Sequence, residues 1–453
     1  MTGRWMRRWL WAWLMLLLLA FGFATALITD WLPRPTAQEK AAVRALDVDA
    51  LTDVSDGNAF GWYYLAELQL QPTEFMALID SALSAEAGAD TAANWSIVDA
   101  LLRDSGQTRR RPFDKEQPAC RPGQVDCLTH VSERLDAVQR GLAANRDWLT
   151  WAMQIEAFDH FHDPLALLST STMPLQLSNP QVQLRMPLTA AAAEFASGRR
   201  DAGLNRLCRY SVGWRRVLGD ARSYASYVFG LTLLSEAAAL RAQMRAVDPG
   251  LEFPNCEEVF APLQPAHLPL CPLMRAEHRR RVLDMRQPYD DGWLDEILNR
   301  VGFNRRHTLA RMAIAPAHYC QSAHQLDLQA RRIGELPSGR CEQGQAAFNS
   351  LGCLLLEMDE PTMAWYSALA KRRLDLDASL RLLGAANWLR SECTADRQSC
   401  LARLPPEWRS PLHEWQLVDE DRSLQLERLY ACGERSWQIP IDAPLVVAGV
   451  EAH

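Results

Sequence analysis

Lysine is almost missing from this chain. Of its 48 basic residues only Lys40, Lys115 and Lys371 are lysine, and the rest are arginine. The balance is nevertheless acidic, with a formal net charge of −7, so the broad basic face that neutralises nucleic-acid phosphates is not expected. Low-complexity tracts are absent and 48% of the residues are apolar. That excludes collagen-like and generally disordered chains, and it leaves 453 residues able to bury one large core or two. Motifs are equally scarce. There is no C-x-x-C, G-x-S-x-G, S-x-x-K, H-E-x-x-H or G-x-x-x-x-G-K-[ST], each of which would mark a metal, nucleophile or phosphate site. No cofactor is called for, and an enzyme built on this chain would need a site assembled from dispersed residues. No period near 34 residues recurs, so a regular helical-repeat array is not indicated.

What the chain does have begins at its N-terminus. Residues 1–8 carry Arg4, Arg7 and Arg8, and Trp9 to Ile28 holds no charged residue. Twenty such residues are enough to cross a hydrocarbon core of about 30 Å. Arginines on the near side predict a cytoplasmic N-terminus, with Trp5, Trp9, Trp11 and Trp13 at the level of an interfacial belt. The expectation is a transmembrane signal-anchor over 9–28, in contact with the lipid bilayer. The rival is a cleaved signal peptide, since Ala24-Thr25-Ala26 fits an A-x-A processing site. Both readings export the remainder. Beyond residue 28 the chain has 45 basic against 55 acidic residues, a net charge of about −10, which disfavours adhesion to anionic lipid or nucleic acid.

All eleven cysteines follow the apolar segment, where an oxidising compartment makes disulfides the default. Cys120 with Cys127 and Cys393 with Cys400 bracket short C-x6-C loops. Cys256 with Cys271 and Cys320 with Cys341 are the further pairings expected from nearness in sequence. Cys208 and Cys353 sit in apolar helical surroundings and read as buried thiols. Cys432 is left for any spare partner, and an odd total leaves at least one thiol unpaired within the chain.

Residues 29–57 read as a juxtamembrane linker with Pro33 and Pro35. Helical signals then fill 58–405, with possible lobes at 58–165 and 186–405. The fold class expected is mainly α, a bundle or irregular solenoid-like array of helices. Leu128, Val131, Leu135, Val138, Leu142, Leu149 and Ala152 form one apolar stripe and predict a long helix. MPLTAAAAEFASGRRDAGLNRL reads as two helices joined near Gly198. In the tail, 406–453, HEWQLV, SLQLERLY and SWQIPI alternate with period two and predict a small antiparallel meander.

Candidate chemistry is thin. Asp159, His160, His162 and Asp163 in DHFHDP are the most metal-like cluster, because imidazoles and carboxylates spaced by two can chelate from an extended backbone. The plainer account is a helix end, where His favours the dipole. Asp290, Asp291, Asp295 and Glu296 in YDDGWLDE miss the D-D-x-x-D spacing of a magnesium site and read as a helix start. Sixteen tryptophans read mainly as helix–helix filler. The arginine excess suits a GC-rich bacterial genome. The sequence therefore describes a single-pass protein of the bacterial inner membrane with its bulk in the periplasm. Its expected role is a non-enzymatic scaffold, adaptor or accessory subunit with an envelope protein as partner; the alternative is an envelope hydrolase.

Overall fold

The computed structural model describes residues 3–28, 35–47, 57–64, 66, 110–111, 120, 127–162, 181–219, 221–251, 256–285, 303–341, 349–358, 360–393, 396–420, 422–430 and 436–442. The chain is mainly helical with a small C-terminal sheet. The helices run α1 (Gly3–Ile28), α2 (Ala37–Ala45), α3 (Phe60–Tyr64), α4 (Cys127–Glu133), α5 (Leu135–Ala144), α6 (Arg146–Met153), α7 (Gln181–Ala196), α8 (Arg200–Gly219) and α9 (Tyr224–Val247). They continue as α10 (Cys271–Asp284), α11 (Arg305–Met312), α12 (Ile314–His318), α13 (Ser322–Gln329), α14 (Ser350–Met358), α15 (Glu360–Glu392) and α16 (Arg397–Ala402).

Local sequence sets several of these boundaries. Thr36 and Glu39 close a capping box on α2, each side chain taking the other residue's backbone N–H. Ser223, Asn304 and Asp396 cap α9, α11 and α16 in the same way, each accepting an N–H three residues on. The turn between α7 and α8 falls at Gly198, whose φ of 83° is open to glycine and costly for most other residues.

The apolar stripe from Leu128 to Ala152 faces inward, but the single long helix expected there is three. The chain breaks at Arg134 and Asn145, both outside helical geometry. The Asn145 side chain bonds the carbonyl of Gly141, a competition with backbone bonding that asparagine commonly brings to a helix. Conversely, PTMAWYSALAKRRLD and DASLRLLGAANWLR form one uninterrupted helix, α15, of 33 residues.

The core lies around α7, α8, α9 and α15. Helices α4, α5 and α6 pack on α7, α8 lies between α7 and α9, and α9 rests on α15. An aromatic cluster ties α3 to α6 and α8. The Trp62 and Trp151 rings stack 4.7 Å apart, and each indole N–H donates to the other residue's carbonyl, at 2.7 and 3.0 Å. Trp214 meets Trp62 edge-on at 6.3 Å. Most tryptophans described in the body are thus buried or half-buried filler.

In the tail, β1 (Trp415–Val418), β2 (Ser423–Glu427) and β3 (Ser436–Pro440) form an antiparallel meander in the order β1-β2-β3. Asp419 and Glu420 turn the first hairpin with φ near 55°. Leu424, Leu426, Trp437 and Ile439 share the buried face, which closes over α15, with β3 also touching α9.

Among the described residues no helix is long and apolar enough to cross a membrane. The candidate anchor 9–28 is helical throughout.

Five disulfides are formed: Cys120–Cys127, Cys208–Cys256, Cys271–Cys320, Cys341–Cys353 and Cys393–Cys400. They suggest an oxidising, extracytoplasmic compartment. The two C-x6-C loops close as the sequence implies. Pairings of Cys256 with Cys271 and of Cys320 with Cys341 do not occur, and Cys208 and Cys353 are bonded instead of free. The reason is physical: a buried half-cystine is as apolar as a buried thiol, so hydrophobic neighbours do not distinguish them. Partners are chosen by which helices touch. Cys432, outside the described residues, is the odd cysteine. Titration in denaturant without reductant is expected to find one thiol per chain, and eleven would contradict the oxidising compartment.

Candidate functional site

The segment singled out as metal-like is held by its backbone. Asn58 brackets it, its side chain donating to the His162 carbonyl at 2.8 Å and accepting the His162 N–H at 2.9 Å. The His160 carbonyl takes the Ala59 N–H. Phe161 packs edge-on against Phe60 and Tyr63. His162 is buried, His160 half-buried and Asp159 exposed, whereas Asp163 lies outside the described residues. Asp290, Asp291, Asp295 and Glu296 lie outside them too. Among the described residues no group of three or more His, Cys, Asp or Glu is placed to hold a metal. The segment's visible role is to join the 57–66 stretch to the end of α6.

The densest polar chemistry lies on α15. Its sequence KRRLDLDASLRLLG puts Arg373, Asp375, Asp377 and Arg381 on the helix, and all four are buried. Burying a charge is costly unless it is paired and hydrogen-bonded, and here each one is engaged. Asp377 accepts from Arg331 Nε at 2.6 Å, from Arg381 Nε at 2.9 Å and from the Leu263 N–H at 2.8 Å. Arg381 also donates to the carbonyls of Glu407 and Arg409. Arg373 lies over the Tyr227 ring at 5.2 Å and donates to the carbonyls of Leu218 and Pro269. Arg215, on α8, takes three carbonyls of the proline-dense connector, those of Val259, Ala261 and Pro262. Burial lowers the pKa of both Arg215 and Arg373. Guanidinium carries five donors on a planar fork, which suits it to satisfying carbonyls in irregular loops.

Two turns before its C-terminal third, α15 meets the sheet. Asp375 accepts the N–H groups of Leu429 and Tyr430 at 2.8 and 3.0 Å, and lies 2.9 Å from Nε2 of His413. Nδ1 of the same imidazole is 2.8 Å from Ser410 Oγ. His413 is buried and Ser410 half-buried. None of these three residues stands out in the sequence. The available signal was the pair of acids on the helix, since buried carboxylates need partners, and a histidine three residues after a serine in a proline-rich stretch.

A second histidine group lies around α12 and α13. The rings of His318 and His324 are 4.3 Å apart, with Tyr319 edge-on to His324 at 4.7 Å. Both ring nitrogens of buried His324 lack a hydrogen-bond partner among the described residues. Burial and neighbouring His318 push the His324 pKa down to about 4; burial and Arg281 do the same for His278, also to about 4. These groups are neutral when folded and titrate near 6.5 when unfolded. The unfolded chain therefore binds more protons between those values, so stability is fully present above about pH 6.5 and declines as pH falls towards 4. Urea midpoints are expected to fall between about pH 7.5 and pH 5, and His278→Gln with His324→Gln to flatten that decline.

Among the described residues, exposed apolar side chains recur along α1 and on α14. Along α1, Leu14 and Leu16 to Leu19 stand in solvent, Leu19 at 72%. On α14, Leu351, Leu354 and Met358 recur at steps of three and four and are also exposed, while Gly352, Cys353 and Leu356 face inward. No protein-family model, no curated protein and no solved structure matches this chain.

Proposed function

We propose that this protein is anchored by α1 in a bacterial inner membrane, N-terminus inside, and serves in the periplasm as a scaffold or accessory subunit of an envelope system. The observation that carries this reading is α1 itself. Its described side chains are apolar around the helix and exposed to solvent, a surface that water does not favour and lipid does. Arg4, Arg7 and Arg8 on one side, and cysteines only on the other, agree on direction. The stripe Leu351, Leu354 and Met358 on α14 supports an interaction role, as does the engagement of the buried α15 charges in holding the body together.

The test is fractionation followed by gentle detergent extraction. The full chain is expected to stay with the membrane pellet through an alkaline wash, and removal of residues 1–28 to release it. A native N-terminus beginning just after Ala26 would replace the anchor with a leader. A stoichiometric envelope protein should co-purify from mild detergent. Elution alone as a monomer under those conditions would overturn the scaffold role.

A further inference from the structure

We propose that Ser410, His413 and Asp375 form a nucleophilic acyl-transfer site that takes carboxylic esters, an activity beyond the scaffold role and independent of it. The geometry has the three parts such chemistry requires, in order. A carboxylate, Asp375, faces one nitrogen of an imidazole at 2.9 Å, and the other nitrogen faces a hydroxyl at 2.8 Å. With Nε2–H donating a hydrogen bond to Asp375, Nδ1 of a neutral ring carries the lone pair and is the base towards Ser410 Oγ. Such a site is recognised by geometry and role, not by order in the chain; here Nδ1 faces the hydroxyl and Nε2 the carboxylate.

The surroundings separate this reading from a clamp. Asp375 already fastens α15 to the segment after β2 through two backbone N–H groups, those of Leu429 and Tyr430. Neither bond needs a serine on the far side of His413. Ser410, meanwhile, is held with unusual care for a loop residue. Arg381 grips the carbonyls of Glu407 and Arg409 from below, and Arg409 folds back on the carbonyls of Leu404 and Ala402. Trp408 lies on Gly384 so closely that a Cβ there would stand 2.2 Å from its ring. Pro411 restricts the backbone of Ser410, the residue before it. Positioning of this kind is what a nucleophile needs to keep its rotamer before substrate arrives.

In the reaction Ser410 Oγ attacks the ester carbonyl carbon and its proton passes to Nδ1 of His413. The tetrahedral adduct expels the alcohol, which takes that proton, and the acyl group stays on Ser410. Water then attacks with His413 again as base, releasing the carboxylic acid and restoring the hydroxyl. Ser410 and His413 are the catalytic residues, and Asp375 is a positioning residue.

The test uses the full chain in mild detergent, with a fluorophosphonate probe and p-nitrophenyl butyrate. Labelling is expected at Ser410, located by peptide mass, together with ester hydrolysis above buffer. Ser410→Ala should abolish that labelling and lower hydrolysis by at least about 100-fold without moving the unfolding midpoint. His413→Gln should likewise abolish the labelling and the hydrolysis. Asp375→Asn should leave Ser410 open to the probe but slow its labelling, lowering kcat while KM stays near the wild-type value. Absence of labelling with no hydrolysis in folded wild-type protein would overturn the site. So would labelling elsewhere with hydrolysis unchanged in Ser410→Ala.

Discussion

Asp377→Ala is expected to destabilise the protein by about 3–5 kcal/mol, the usual cost of breaking a buried ion pair from one side. The carboxylate is 1% exposed and sits between two guanidiniums, Arg331 and Arg381, while also accepting the Leu263 N–H. Removing it leaves two positive charges facing one another, with a backbone donor unsatisfied. Asp377→Asn keeps an acceptor for Leu263 and should lie between the two. Urea unfolding followed by helical circular dichroism checks both values. In a double-mutant cycle, Asp377→Ala and Arg331→Ala should be non-additive by about 0.5–3 kcal/mol, because each removes the same contact. A loss below about 1 kcal/mol for Asp377→Ala would mean that the pair adds little to holding the connector against α15.

The second large effect is expected at Trp151. Its ring is nearly inaccessible, stacks on Trp62 and meets Trp148 edge-on at 5.7 Å. Trp151→Ala should lose about 3–5 kcal/mol through lost burial and the cavity left behind. Trp151→Phe retains much of the volume but not the indole N–H, leaving the Trp62 carbonyl short of its donor. That variant should cost about 1–3 kcal/mol. Equal losses for the two variants would place the whole effect in the hydrogen bond and none in the cavity. The same melts report both, and a shift in intrinsic fluorescence on Trp151→Phe would follow the change around Trp62.

How far the fold was legible differs between elements for identifiable reasons. The α7–α8 hairpin and the meander were readable because both rest on near neighbours: a 3.6-residue period ending at Gly198, and a period of two ending at turn residues. The 127–153 stretch was half legible. Its stripe gave the inward face, but the breaks at Arg134 and Asn145 depend on side-chain bonding that a pattern of apolar residues does not carry. At α15 the pattern misled in the other direction, since charged residues within RRLDLDASLR look like a boundary until their buried partners are seen. The Ser410–His413–Asp375 group was not legible. No motif marks it, and Asp375 lies 38 residues from His413.

Arginine shows the division most clearly. Composition alone offered genome bias as the account of 45 arginines against three lysines. In the structure Arg215, Arg331, Arg373, Arg381, Arg390 and Arg409 each bond backbone carbonyls of irregular segments, work for which a forked cation is better shaped than an ammonium. By itself the sequence determined the helical class, the small terminal meander and the two C-x6-C disulfides, because periodicity and close cysteine spacing are properties of the chain read in order. The tertiary structure alone decided which cysteine meets which, which arginine meets which carboxylate, and that a serine, a histidine and an aspartate stand in line. Those are contacts between segments far apart in the chain, and packing brings them together.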